Sequence, residues 1–149
     1  MTEENPDETS GKATETEDAK GNPNVAPDPV LELNDVFAAL GHPRRRYLLY
    51  TLVNGSTEAP LSELAADIAA WELEKPASEV TAAERRKIHI SLYHSHIPKL
   101  ASLEIVDYHE GENIIVRAVN TAQVQAVLDG AGAELDSRQE SHARDADDR

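Results

Sequence analysis

The 149-residue sequence contains no cysteine, and only 14 Lys and Arg stand against 28 Asp and Glu. Without thiols there are no disulfides, no zinc ribbons and no thiolate catalysis, and metal sensing through cysteine ligands is excluded. A glycine-rich phosphate loop, a nucleophile elbow, an H-E-x-x-H helix and paired carboxylates in an apolar surround are all missing. The chain is therefore not expected to be an enzyme, and no cofactor is expected. No apolar run approaches the roughly 18 residues of a membrane span, and the acidic start MTEENPDETSGKATETED lacks the basic and apolar regions of a signal peptide. A soluble, cytoplasmic protein with no membrane partner is the expectation.

What is present is acidity, unevenly spread. The net charge is −14, of which residues 1–30 carry −6, residues 31–130 carry −5 and residues 131–149 carry −3. The ends are poor in large apolar residues and cannot bury enough surface to offset their ordering entropy. Residues 1–29 and 133–149 are accordingly expected to be disordered acidic tails. Such an excess of carboxylates suits a cytoplasm at very high salt, where it keeps a surface hydrated; an ordinary acidic protein with acidic tails is the plainer alternative.

Between the tails, hydrophobic periodicity predicts helices and then a hairpin. Leu33, Val36, Phe37 and Leu40 fall at i, i+3, i+4 and i+7, with Asn34 or Asp35 as cap and Gly41 as stop. Pro43 opens a second helix, PRRRYLLYTLV, striped by Leu48, Leu49 and Leu52. Leu61, Leu64, Ala65 and Ile68 repeat the spacing behind Ser62 as cap, and the loop ELEKPASEV follows. Thr81 and Glu84 form a T-x-x-E capping box at the start of a helix carrying RRKIHISLYHSHIPKL, whose predicted buried seam is Ile90, Tyr93, Ile97 and Leu100. Pro98 should bend that helix or change its register near His94 to Ile97. EIVDYHEGENIIVRAV alternates, reverses at EGEN and alternates again, which predicts a hairpin with a glycine turn. NTAQVQAVLDGAG, with an N-x-x-Q cap, is a last helix presenting Val124, Val127 and Leu128.

The expected fold class is mainly α with a small β-hairpin (α+β). Three helices followed by a hairpin is the winged helix-turn-helix order, placed here at 30–118 with core helices 43–53, 62–72 and 82–102. Residues 119–132 then form a C-terminal helix.

DVFAALGHPRRRYLLYTLV resembles the opening of ArsR-like winged-helix regulators, and SHIPKLASLEIVDYHEGENIIVRAV resembles their recognition helix and wing, with His96, Ile97 and Leu100 on the H-L-x-x-L run. The likeness covers about 31–118. The Arg-Arg-Arg-Tyr run, the AAWE segment and SLYHSHIPKL are similar to a group of haloarchaeal proteins with a winged-helix domain of unknown function. The resemblance implies a salt-adapted, ArsR-like DNA-binding regulator of transcription. Two departures stand out: the loop before the recognition helix is long, and Glu104 replaces the glycine usual between that helix and the wing, so the corner must be closed otherwise or strained.

On this reading Ser91, His94 and Ser95 are candidates for base edges in double-stranded DNA. Arg85, Arg86, Lys87, Lys99 and the wing's Arg117 are candidates for phosphates. Arg44, Arg45 and Arg46 crowd a helix N-terminus against its macrodipole, so either a phosphate or acidic partners such as Asp35 should compensate. His89, His94 and His96 do not share a helix face within reach of one ion, so no metal is expected there, and His96 reads as a satisfied core histidine. Val36, Phe37, Leu40, Val124, Val127 and Leu128 are candidates for a homodimer interface, with packing onto the same domain as the alternative. The rival function is a winged helix that binds a protein partner and no DNA.

Overall fold

A computed structural model describes residues 31–147. It is mostly helical with one small three-stranded antiparallel sheet, an α+β arrangement. The expected disordered segment 1–29 lies outside the described residues.

Helix α1 (Leu33–Leu40) begins one residue before its predicted caps: the Glu32 N–H donates to Asp35 Oδ2 at 3.1 Å. Helix α2 (Pro43–Asn54) is the centre of the molecule. Every residue from Tyr47 to Val53 is buried, so beyond the predicted stripe of leucines this part of the helix is enclosed on all sides. Burying each of Leu48, Leu49 and Leu52 contributes about 1.5–3 kcal/mol. Strand β1 (Glu58–Pro60) follows and leads directly into helix α3 (Leu61–Leu73). The cap of α3 is Pro60; Ser62 lies exposed in its first turn.

Glu74 to Thr81, with a 3-10 turn at Ala77–Glu79, connects α3 to helix α4 (Ala82–Ser91). The Thr81–Glu84 capping box forms as expected, with the Thr81 N–H on Glu84 Oε1 at 2.9 Å and the Glu84 N–H on Thr81 Oγ1 at 3.1 Å. A π-turn (Leu92–His96) then interrupts the helix before it continues as α5 (Ile97–Ser102). This is the register change demanded by Pro98, and it corrects the seam. The buried residues are Ile88, Leu92, His96, Ile97 and Leu100, whereas Ile90 is 50% exposed and Tyr93 only half-buried. The extra residue in the π-turn carries the core face from Leu92 to Ile97 in five steps instead of four.

Strands β2 (Val106–His109) and β3 (Ile114–Arg117) form the expected hairpin, and β3 is the middle strand between β2 and β1. Its turn does not use glycine in the left-handed region; Asn113 takes that conformation, with φ 56°, and its side chain accepts from the Tyr108 hydroxyl at 2.7 Å. Helix α6 (Thr121–Val127) starts at Asn120, whose buried side chain makes no cap and donates instead to the Leu103 carbonyl.

The C-terminal expectation is overturned for residues 133–147. After a π-turn at Leu128–Gly132 and the short α7 (Ala133–Leu135), α8 (Ser137–Asp147) packs on α2. Four polar anchors and one buried methyl hold the segment. Asp136 accepts from Arg46 at 2.6 Å and Tyr50 at 2.9 Å, Gln139 donates to the Pro43 carbonyl at 2.6 Å, the Tyr47 hydroxyl meets His142 Nδ1 at 2.7 Å, Glu140 accepts from the Asn54 amide at 2.9 Å, and Ala143 is fully buried. Composition alone hides this, because the partners that stabilise the segment lie some ninety residues away on α2.

Candidate nucleic-acid interface

The α4–π–α5 helix offers its polar side to solvent. Arg85, Arg86, Lys87, Ile90, His94, Ser95, Pro98 and Lys99 are exposed along it. Four-residue steps on a plain α-helix drift around the axis by about 40° each. The wider π-turn offsets that drift beyond Ile90, so Ile90, His94 and Pro98 stay on the side away from the buried seam, with Arg86 one turn earlier and Lys87, Ser95 and Lys99 beside them.

The basic residues divide into two classes. Arg44 is held by a two-point ion pair with Glu72, at 2.6 and 2.9 Å, and it also donates to Ser91 Oγ at 2.8 Å. Arg45 donates to the carbonyls of Ala39 and Ala38, and Arg46 to that of Leu40 and to Asp136. Arg45 and Arg46, which oppose the dipole of α2, thus cap the free carbonyls at the C-terminus of α1, where positive charge is favoured, while Arg44 is compensated by Glu72. Asp35 is not their partner. Arg117 donates to the Leu52 carbonyl near the end of α2, so it belongs to the base of the hairpin. By contrast, Arg85, Arg86, Lys87, Lys99 and Arg138 have no side-chain hydrogen bond or ion pair among the described residues. Four of these five lie on α4 and α5.

Of the residues proposed for base edges, His94 and Ser95 lie on the exposed face, His94 with its ring edge-on to Tyr93 at 5.0 Å, while Ser91 is turned toward Arg44. Sequence reasoning missed Ile90, Tyr93 and Glu110. Plain α-helical spacing back from Ile97 puts Ile90 in the core, whereas the extra residue of the π-turn turns it outward. Tyr93 leans to the other flank, where its hydroxyl donates to Glu110 Oε2 at 2.6 Å and its ring meets Tyr108 edge-on at 5.8 Å. These contacts pin the hairpin to the helix. The turn carries Glu110 and Glu112 with no Lys or Arg, so the hairpin tip is acidic.

Behind the exposed face, His96 is the core histidine expected. Its Nδ1 lies 3.1 Å from Arg45 Nη1, and because arginine can only donate, Nδ1 must accept. Its ring centroid is 4.2 Å from that of His42, the N-cap of α2, whose own Nδ1 accepts from the Arg44 N–H. Burial, followed by the charges of His42, Arg45 and Arg44, pushes His96 down to about 4, and burial with the neighbouring arginines lowers His42 as well. Both rings are neutral at pH 7. Among the described residues no three His, Asp or Glu side chains converge as a metal site.

The proposed dimer residues are mostly spent internally. Val36, Val124 and Leu128 are buried in the chain's own core, and Leu40 and Val127 pack against it. Phe37 alone points outward, at 56% exposure, joined by Leu33 at 63% one helical turn earlier. No helix among the described residues is long and apolar enough to cross a membrane.

A family model described as a domain of unknown function, DUF7344, matches residues 37–116, and the chain belongs to that family. The matched span runs from α1 through the whole α4–α5 helix and nearly to the end of β3. No curated protein and no solved structure matches the chain.

Proposed function

We propose that this member of the DUF7344 family is a winged-helix protein that binds double-stranded DNA in a sequence-specific manner, with α4–α5 as the recognition helix, and regulates transcription from a salt-rich cytoplasm. One observation carries the reading: in a chain of net charge −14, four of the five unpartnered cations of the described residues gather on one exposed helix face. Arg85, Arg86, Lys87 and Lys99 are the phosphate contacts, and His94 and Ser95 face the base edges. Arg44, Arg45, Arg46 and Arg117 take positioning roles instead. Arg44 and Arg45 hold Ser91 and His96 from behind and so fix the helix against α2.

Net acidity does not defeat this reading at high salt. Near 1 M salt the Debye length is about 3 Å, so distant carboxylates are screened and short-range hydrogen bonds and apolar contacts decide affinity. Two half-sites one turn apart would double the contacts, and Leu33 with Phe37 is the surface proposed for the second copy. Phe37→Ser should then shift the sedimentation of the protein toward monomer.

A protein-binding winged helix is the second reading, favoured by the acidic tip of the hairpin. The two separate on genomic DNA fragments at about 2 M KCl. The parent chain should enrich a few fragments. A variant with Arg85, Arg86, His94 and Lys99 changed to Ala, folded by circular dichroism, should enrich none. Equal and negligible binding by both would sink the DNA reading.

A further inference from the structure

An isoleucine half exposed at the middle of the only free basic ridge among the described residues calls for a partner of its own. Ile90 stands at 50% exposure, one turn from Arg86 on one side and one turn from His94 on the other. It is outside by construction. Leu92, two residues later, is fully buried, and the π-turn restores the outward line so that Ile90, His94 and Pro98 stay together. Among the described residues the flanking side chains are engaged elsewhere: Tyr93 is turned to Glu110 and Tyr108, and Ser91 to Arg44.

We propose that Ile90 is a specificity-determining residue that packs on the 5-methyl group of thymine in the major groove, so that the recognised site contains a required T·A pair opposite the centre of the helix. The inference rests on the DNA-binding reading and deepens it. The major groove offers one apolar feature, the thymine methyl, and otherwise only hydrogen-bonding groups. An aliphatic side chain ringed by phosphate-binding cations is complementary to that pattern. A wholly apolar partner would leave Arg86 and Lys87 desolvated and unpaired. His94 and Ser95, lying beside Ile90, are then placed to read the neighbouring base pairs by hydrogen bonds.

The test uses the full-length protein at high salt and a DNA fragment that it enriches, with the protected site mapped by footprinting. Each thymine of the site is replaced singly by deoxyuridine, which deletes the methyl and preserves pairing. Affinities are then measured for the parent, Ile90→Val and Ile90→Ala. At one or two adjacent positions deoxyuridine should weaken the parent by roughly fourfold, the worth of one buried methyl. Ile90→Ala should bind the thymine site less well and show no further loss on deoxyuridine, with Ile90→Val between them, as a direct contact requires. Undiminished deoxyuridine sensitivity in Ile90→Ala, or no sensitive position in the parent, overturns the thymine contact while DNA binding stands. If the parent enriches no fragment, the DNA reading fails and takes this contact with it.

Discussion

Glu104 closes the corner between α5 and β2 in a conformation glycine is better suited to. Its φ is 57°, the Ile105 N–H reaches back to the Leu100 carbonyl at 3.0 Å, and the Glu104 N–H bonds to Ala101 at 2.9 Å. This is a Schellman ending with a glutamate in the left-handed position, sealed by Leu100 and Ile105 in the core. The left-handed region costs a side chain about 1–2 kcal/mol, against about 0.5–1 kcal/mol of extra chain entropy for glycine. Glu104→Gly should therefore raise the unfolding free energy by about 0.5–1 kcal/mol in urea titrations, and Glu104→Ala, which loses the charge but keeps the strain, should not. Glu74, at φ 54°, ends α3 in the same way.

His96 makes a second residue-scale prediction, with a sign. Its folded value of about 4 lies below the 6.5 of an exposed histidine, so between those values the unfolded chain binds the extra proton. The stability it confers is intact above pH 6.5, is lost as pH falls toward 4, and changes no further below that. His96→Asn keeps an acceptor for Arg45 but cannot titrate. Urea midpoints at fixed high salt should show the parent losing ground to this variant as pH is lowered from 7 to about 4.

At the scale of elements, the sequence was legible wherever the signal is local. The Thr81–Glu84 box, Pro98 and the alternating runs of the hairpin each act within a few residues of themselves, and each appears where expected. Ile90 shows the limit. Pro98 announces a change of register but not whether the helix tightens or widens, and that choice decides which side of the helix faces the core. Arg44, Arg45 and Arg46 show another, since their partners on α1, Glu72 and Asp136 are brought to them only by tertiary packing. β1 is only three residues long and has no alternation to betray it.

The C-terminal helix α8 escaped for the same reason as those arginines, and its attachment is open to attack. Asp136→Ala removes the acceptor shared by Arg46 and Tyr50, the latter a phenol whose ionisation is raised well above its ordinary value by burial and by that carboxylate. Such charge-assisted bonds contribute about 1.5–3 kcal/mol each, so amides of 137–147 should exchange markedly faster while those of α2 keep their protection. Gly132→Ala attacks the same joint sterically. A Cβ there would lie 2.8 Å from the Tyr50 hydroxyl, and overpacking of this kind costs about 1–3 kcal/mol.

For the whole molecule, charge and salt set the terms of binding. A DNA-binding protein of ordinary composition spreads many cations over its contact face and loses affinity steeply as salt rises. Here Arg85, Arg86, Lys87 and Lys99 are the only cations of the proposed face with no intramolecular partner among the described residues. Each neutralised phosphate contributes about −0.9 to the slope of log K against log salt, so four set a ceiling near −3.6 per bound protomer, twice that for a dimer. In the proposed complex, carboxylates of the hairpin tip and the acidic ends would take up cations beside the DNA, which would make the slope shallower still. Titration of the enriched fragment between about 0.5 and 3 M KCl should therefore give a slope no steeper than this ceiling, and Lys87→Ala should reduce it by about 0.9 per protomer. A steeper slope would mean that Arg44, Arg45, Arg46 or Arg117 leaves its intramolecular partner to meet phosphate. The exposed helix face would then be only part of the interface.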